Sequence, residues 1–126
     1  MQSDSIYQPP TTREELIRRY ARGERTFPDI DLCDADLSGV MMDGADFAPF
    51  SWFSDTDFSG ASLRGTSFRS CNVKCATFRD ADLAGANFEE AAIESIDLEG
   101  AALDGTSFVG ATFYGITLRA GELPPM

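Results

Sequence analysis

The side chains of this sequence that could do chemistry are three cysteines, a recurring series of carboxylates and a run of four cations, and no histidine accompanies them. The missing imidazole removes Ser-His-Asp and Cys-His catalysis, histidine zinc sites and histidine pH switching together. Cys33, Cys71 and Cys75 are odd in number, and the C-N-V-K-C spacing from Cys71 to Cys75 matches neither a zinc nor a thioredoxin pattern. They read as free thiols in a reducing cytoplasm, and the opening MQSDSIYQPP lacks the basic start and apolar core of a secretory signal. Paired acids or a calcium ladder would have to draw on Asp31, Asp36, Asp46, Asp57, Asp82 and Asp97. No glycine loop sits at a strand-to-helix turn where it could cradle a phosphate. Catalysis, a metal and a cofactor are therefore not expected.

Whatever positions these side chains must fit one domain of 126 residues. The chain carries 10 basic and 21 acidic residues, a formal charge of −11, so direct nucleic-acid binding would work against strong repulsion. No apolar run approaches the ~20 residues of a membrane span. The charge is unevenly shared: residues 1–27 hold 5 basic and 4 acidic residues, leaving 5 basic and 17 acidic for the rest.

An internal repeat decides the architecture. Apolar residues recur every five positions at Leu32, Leu37, Met42 and Phe47 and then, after one extra residue, from Phe53, Phe58 and Leu63 through to Leu118. Two positions before most of them stands a small or β-branched residue such as Ala35, Thr56, Ala81 or Ala86, and two positions after them glycine is frequent. A period of five fits neither the 3.6 of a helix nor the 2 of a strand, so each unit must form one side of a coil with a bend at its boundary. The large central residue and the small one before it then point inward, and the Asp, Asn, Ser or Thr between them points out.

The units Ala35-Asp36-Leu37-Ser38-Gly39, Ala81-Asp82-Leu83-Ala84-Gly85 and Ala86-Asn87-Phe88 follow the pattern A-(D/N)-L-x-x. Over about residues 28–120 the chain resembles the pentapeptide-repeat family. The resemblance implies an all-β fold, a right-handed quadrilateral parallel β-helix with about 20 residues per coil and thus nearly five coils, a rod of ~24 Å at the ~4.8 Å strand spacing. Stacking every fourth unit gives one column of Phe27, Phe47, Phe68, Phe88 and Phe108, and another of Met42, Leu63, Leu83, Leu103 and Leu123. Outside, the same register sets Arg69 over Glu89, Lys74 over Glu94 and Arg79 over Glu99. Exposed cross-coil ion pairs are favoured here over a basic belt for a polyanion. Asp36, Asp57, Thr77, Asp97 and Thr117 share a column, so only its first two carboxylates are neighbours, which argues against a calcium ladder.

The expected organisation is a disordered or extended segment over 1–11, a capping helix and connection over 12–27, the β-helix over 28–123 and a tail over 124–126. Thr12-Arg13-Glu14-Glu15 reads as a capping box, Leu16, Ile17 and Tyr20 lie at helical spacing, and Gly23 is the stop. The helix should cover the first coil, with Arg13, Arg18, Arg19, Arg22 and Arg25 facing Asp29, Asp31, Asp34 and Asp36. At the far end no helix follows, and Pro124 and Pro125 either blunt an open edge or leave it to an end-to-end homodimer through Phe113, Tyr114, Leu118 and Leu123. The one break in register lies at Ala48-Pro49-Phe50-Ser51-Trp52-Phe53; with Phe50 as the inserted residue, Phe50 and Trp52 make an outward aromatic bump or fold down over the surface.

The function read from these features is that of a non-catalytic, acidic module that binds a protein partner, with no membrane and no direct nucleic-acid contact. The family resemblance adds an alternative, since some of its members are acidic dimers that mimic duplex DNA and bind type II topoisomerases such as gyrase. A structural scaffold without a dedicated site is the third reading.

Overall fold

The computed structural model describes residues 6–125, so the expectation for residues 1–5 and for Met126 lies outside the described residues. Parallel backbone bridges link residues 20 apart, as in Trp52↔Asn72, Asn72↔Ala92 and Ala92↔Thr112. Four bridges, Asp31↔Trp52, Asp36↔Asp57, Met41↔Ser62 and Asp46↔Ser67, span 21 because they cross the one inserted residue. Each side of the coil contributes only a residue or two of ladder before it turns, so the walls are rows of single bridges rather than extended strands.

The corner explains the repeat. The small-slot N–H bonds back to the central carbonyl three residues earlier, as in Ala35 N to Leu32 O at 3.1 Å and Ala81 N to Phe78 O at 3.0 Å. The residue before the small slot takes positive φ, as the third residue of a type II turn does. At Gly100 (φ +74) glycine meets the left-handed conformation without strain, and an added Cβ would also push aside the Asp80 carboxylate of the coil below. The outward Asp or Asn completes the corner by accepting from the backbone N–H two residues on. Asp36 does so from Ser38 at 2.9 Å, Asp57 from Ser59 at 2.8 Å, Asn87 from Glu89 at 2.7 Å and Asp97 from Glu99 at 3.0 Å. These carboxylates therefore hold backbone donors that the ladder leaves free.

Inside, the expected phenylalanine column is present. Phe68 and Phe88 stack with centroids 5.0 Å apart and planes 12° apart, and Phe88 and Phe108 at 5.1 Å and 11°. A second stack, Phe58 on Phe78 at 4.9 Å, meets it edge to face. Most small slots lie buried beside the rings, and four hold hydroxyls: Ser51, Thr56 and Thr66, fully buried, and Thr106, partly so. Thr56 Oγ1 donates to Leu32 O at 2.8 Å and Thr66 Oγ1 to Met42 O at 2.8 Å, giving each corner carbonyl of the coil below a second donor. Thr66→Val keeps the volume and removes that donor. It is expected to lower stability by about 1 kcal/mol in denaturant melts, while Thr66→Ala, which also leaves a void, costs more.

Helix α1 (Arg13–Ala21) starts where expected, with Thr12 Oγ1 accepting from Glu15 N at 3.1 Å. The return bond of the capping box is shifted by one residue, Glu15 Oε1 accepting from Thr11 N at 3.1 Å. Leu16 is fully buried, whereas Ile17 is exposed. The expected ion pairing of the arginines with the first coil is corrected: only Arg13 approaches a coil carboxylate, at 3.8 Å from Asp36. Arg19 pairs with Glu15 and Glu24, and Arg25 lies over the Tyr20 ring. What the first coil lacks is donors, since no earlier coil faces its carbonyls. Arg13 Nη1 donates to Asp36 O (2.9 Å) and Ser38 O (3.1 Å), Tyr20 Oη to Asp43 O (2.7 Å) and Tyr7 Oη to Pro28 O (2.8 Å).

The far end also departs from expectation. The last parallel bridge is Ala92↔Thr112, after which β1 (Thr112–Phe113) pairs antiparallel with β2 (Ile116–Thr117). Tyr114 and Gly115 both take positive φ (48° and 80°), the requirement of a two-residue type I′ hairpin, so the chain reverses where the repeat pattern would run on. Leu118 is buried, its N–H bonded to Ala111 O at 2.9 Å, and Pro124 is buried too. Leu123 is half exposed and does not continue the column of Met42, Leu63 and Leu83.

Candidate partner-binding corner

The insertion makes the one corner that differs from the rest. Ala48, Pro49 and Phe50 replace the usual two corner residues, and the peptide between Ala48 and Pro49 is cis. Ser51 then returns to the small slot, fully buried, where its hydroxyl donates to Phe47 O at 2.7 Å and accepts from Ile30 N at 3.0 Å. Phe53 fills the core. Phe50, at φ +65, is 67% exposed and Trp52 is 52% exposed. Trp52 belongs to the ladder Asp31↔Trp52↔Asn72↔Ala92, and beside the two rings opens a shallow notch lined by Ser70, Asn72, Glu90 and Ala92. Both rings stand out from a wall whose backbone is tied into the ladder.

The cations sit C-terminal to this corner and are paired. Arg79 reaches Asp97 at 2.6 Å and Glu99 at 2.9 Å, Lys74 reaches Glu94 at 3.9 Å, and Arg64 reaches Asp82 at 3.0 Å. Arg69 pairs with Glu90 at 3.4 Å instead of Glu89, whose carboxylate accepts from Ser107 Oγ at 2.8 Å. Its reach is one residue longer because Glu90 occupies the corner above Ser70. The Arg79 hydrogen bond and the Glu99 N–H together hold Asp97 below the usual carboxylate range, and the Ala84 N–H with Arg64 does the same for Asp82. The four cations thus stand in cross-coil ion pairs rather than as a row of unpaired charges.

Among the described residues no three His, Cys, Asp or Glu side chains gather to hold a metal ion. Cys71 occupies a small slot, donates toward Phe47 O at 3.3 Å, and burial pushes its thiol up to about 12. Cys75 stands exposed on a corner. With a disulfide-exchange reagent at neutral pH, Cys75 is expected to react within minutes and Cys71 only on unfolding, a difference that single Cys→Ser variants would assign. At the far end Phe113 is partly covered, Leu118 is buried, and Tyr114, Ile116 and Leu123 are exposed. Of Phe113, Tyr114, Leu118 and Leu123, expected together at an open end, the hairpin withdraws Leu118 into the chain's own core, and it leaves Ile116 exposed beside Tyr114.

The family model for pentapeptide repeats matches in eight copies over residues 53–89 and 81–119. This chain belongs to the pentapeptide-repeat family. A pentapeptide repeat protein from Nostoc Pcc 7120, alr5209, is 33% identical, with 85% of this chain and 84% of that one covered and a TM-score of 0.60. Rfr23 from the cyanobacterium Cyanothece 51142 is 24% identical over 70% of this chain and 56% of its own, with a TM-score of 0.49. QnrB1, a plasmid-mediated fluoroquinolone resistance protein, is 24% identical over 71% of this chain and 61% of its own, with a TM-score of 0.32. No curated protein matches the sequence significantly. Membership makes the four-sided ladder a right-handed quadrilateral β-helix.

Proposed function

We propose that this pentapeptide-repeat protein is a non-catalytic binding module of the cytoplasm whose rigid, acidic β-helix offers the Phe50–Trp52 corner to a protein partner. Pentapeptide-repeat proteins are generally structural or binding proteins and not enzymes. The observation that carries the reading is the pair of large aromatic side chains, 67% and 52% exposed, standing on a corner whose Ser51 and Phe53 are fully buried. Aromatic side chains present a large area with only two rotatable bonds, so they lose little conformational freedom on docking, which is why such residues anchor interfaces.

Trp52→Ala removes no buried atom of the core and is expected to leave the melting temperature within about 2 °C of wild type. In a pull-down from the source cells with immobilised wild-type protein, at least one partner should be retained that Trp52→Ala fails to retain. Identical sets from both baits, with both proteins folded, would overturn the corner as the docking site.

Duplex mimicry is the weaker alternative on the charge pattern. The cations Arg64, Arg69, Lys74 and Arg79 interrupt the anionic faces midway, each paired to a carboxylate of the next coil. A gyrase supercoiling assay with and without quinolone tests it directly, and neither inhibition nor protection at micromolar protein would remove it. The exposed Tyr114, Ile116 and Leu123 support a homodimer through the hairpin end, which light scattering at rising concentration would reveal as a doubled mass.

A further inference from the structure

We infer that the segment docking at the Phe50–Trp52 corner is cationic and arginine-bearing; the inference rests on that corner being the partner site. The wall that carries Trp52 is flanked by four exposed carboxylates, three in the coil below it and one at the next corner of its own coil. Asp31 is the bridge partner of Trp52 in the coil below. Asp29 lies beneath the inserted corner, its N–H bonded to Pro49 O at 3.3 Å, and Asp34 lies beneath the next corner, its N–H bonded to Ser54 O at 2.9 Å. Asp55 stands at that next corner itself, at φ +60. Successive coils are ~4.8 Å apart, so Asp31 lies one coil spacing from Trp52, within reach of an arginine side chain laid across the indole, with Asp29, Asp34 and Asp55 at the flanking corners.

None of these four has a cationic partner among the described residues, whereas every cation of the following coil is already paired. Bare carboxylates thus lie below and beside the aromatic pair, and neutralised pairs above it. An acidic segment meets repulsion there, and a purely apolar one leaves the carboxylates to be desolvated without compensation. A guanidinium satisfies both halves of the surface: its flat face stacks on the indole and its edge donates two parallel hydrogen bonds to a carboxylate. An ammonium can do only one of these at a time, so arginine is preferred to lysine.

Trp52 is the only tryptophan of the chain, so its emission reports the corner directly. The probe is an octapeptide of arginine with blocked ends, compared with the lysine and glutamate octapeptides at moderate salt. The arginine peptide is expected to change Trp52 emission saturably, at least threefold more tightly than the lysine peptide, with no response to glutamate. Asp31→Asn with Asp34→Asn keeps the side-chain acceptors and suits the positive φ of 63° at position 34, and should weaken binding about tenfold. Asp104→Asn with Glu122→Gln removes the same net charge elsewhere and should change binding less than twofold.

Equal weakening by both double variants would overturn the inference in favour of diffuse attraction to an acidic protein, as would unchanged Trp52 emission with the arginine peptide. Emission that answers to glutamate would refute the charge preference while leaving the corner as a docking site. The Trp52→Ala pull-down tests the docking site separately.

Discussion

Phe68→Ala should cost about 3–5 kcal/mol, a large share of the stability of a domain this size, and lower the melting temperature by more than about 10 °C. Phe68 is fully buried at the crossing of the two aromatic columns. It stacks on Phe88 at 5.0 Å, lies tilted on Phe47 at 5.4 Å, and meets Phe53, Phe58 and Phe78 edge-on at 5.6–5.7 Å. The walls around the void are single-bridge ladders fixed at the strand spacing, so they cannot close in, and the cavity term stays near its full size. Phe108→Ala provides the control. Phe108 is 2% exposed but is in ring contact with Phe88 alone, beside a hairpin that can shift, and its loss should cost clearly less. Phe68→Leu, which keeps most of the volume, should cost less than about 1.5 kcal/mol. Equal losses for Phe68→Ala and Phe108→Ala would contradict a rigid central stack.

The period of five made the middle of this molecule legible because each position answers to one local demand. The central residue fills the core, the small one avoids its neighbours, the outward Asp or Asn caps a corner N–H, and the residue of positive φ turns the chain. The phenylalanine column and the burial of Ser51 beside an outward Trp52 follow from counting alone. The ends were not legible in the same way. Tyr114-Gly115 continues the repeat by residue type, and only Gly115 announces the positive φ that the type I′ turn asks of both residues. Charge complementarity also misled at α1, where the arginines seemed matched to the aspartates of the first coil. The unmet demand there is for backbone donors at the open first coil, which side chains of α1 supply. The signal available for it was the placing of Tyr7, Arg13 and Tyr20, long side chains with a donor at the tip, ahead of the first repeat.

A second large effect lies at the N-terminal cap. Leu16→Ala combined with Arg13→Ala should destabilise the protein by about 3–5 kcal/mol, most of it from the leucine, which is 0% exposed. Arg13→Ala alone should cost about 1 kcal/mol, because Asp36 O and Ser38 O lie near enough to solvent for water to replace the lost donors. The loss should also be local. Coils of a solenoid touch only their neighbours, so opening begins at an uncapped end and decays along the axis. Hydrogen exchange should therefore speed up most at the amides of Phe27, Leu37 and Met42, which bond to the second coil, and least at Leu83 and Phe88. The bared first coil presents a row of unpaired carbonyls and the ring of Phe27, an edge that invites pairing between molecules, so the double variant should also aggregate at concentrations where wild type does not. Exchange that rises by the same factor in every coil would mean that the solenoid unfolds as one unit and that the helix stabilises all of it alike; unchanged exchange at Phe27 and Leu37 would mean that α1 is no cap.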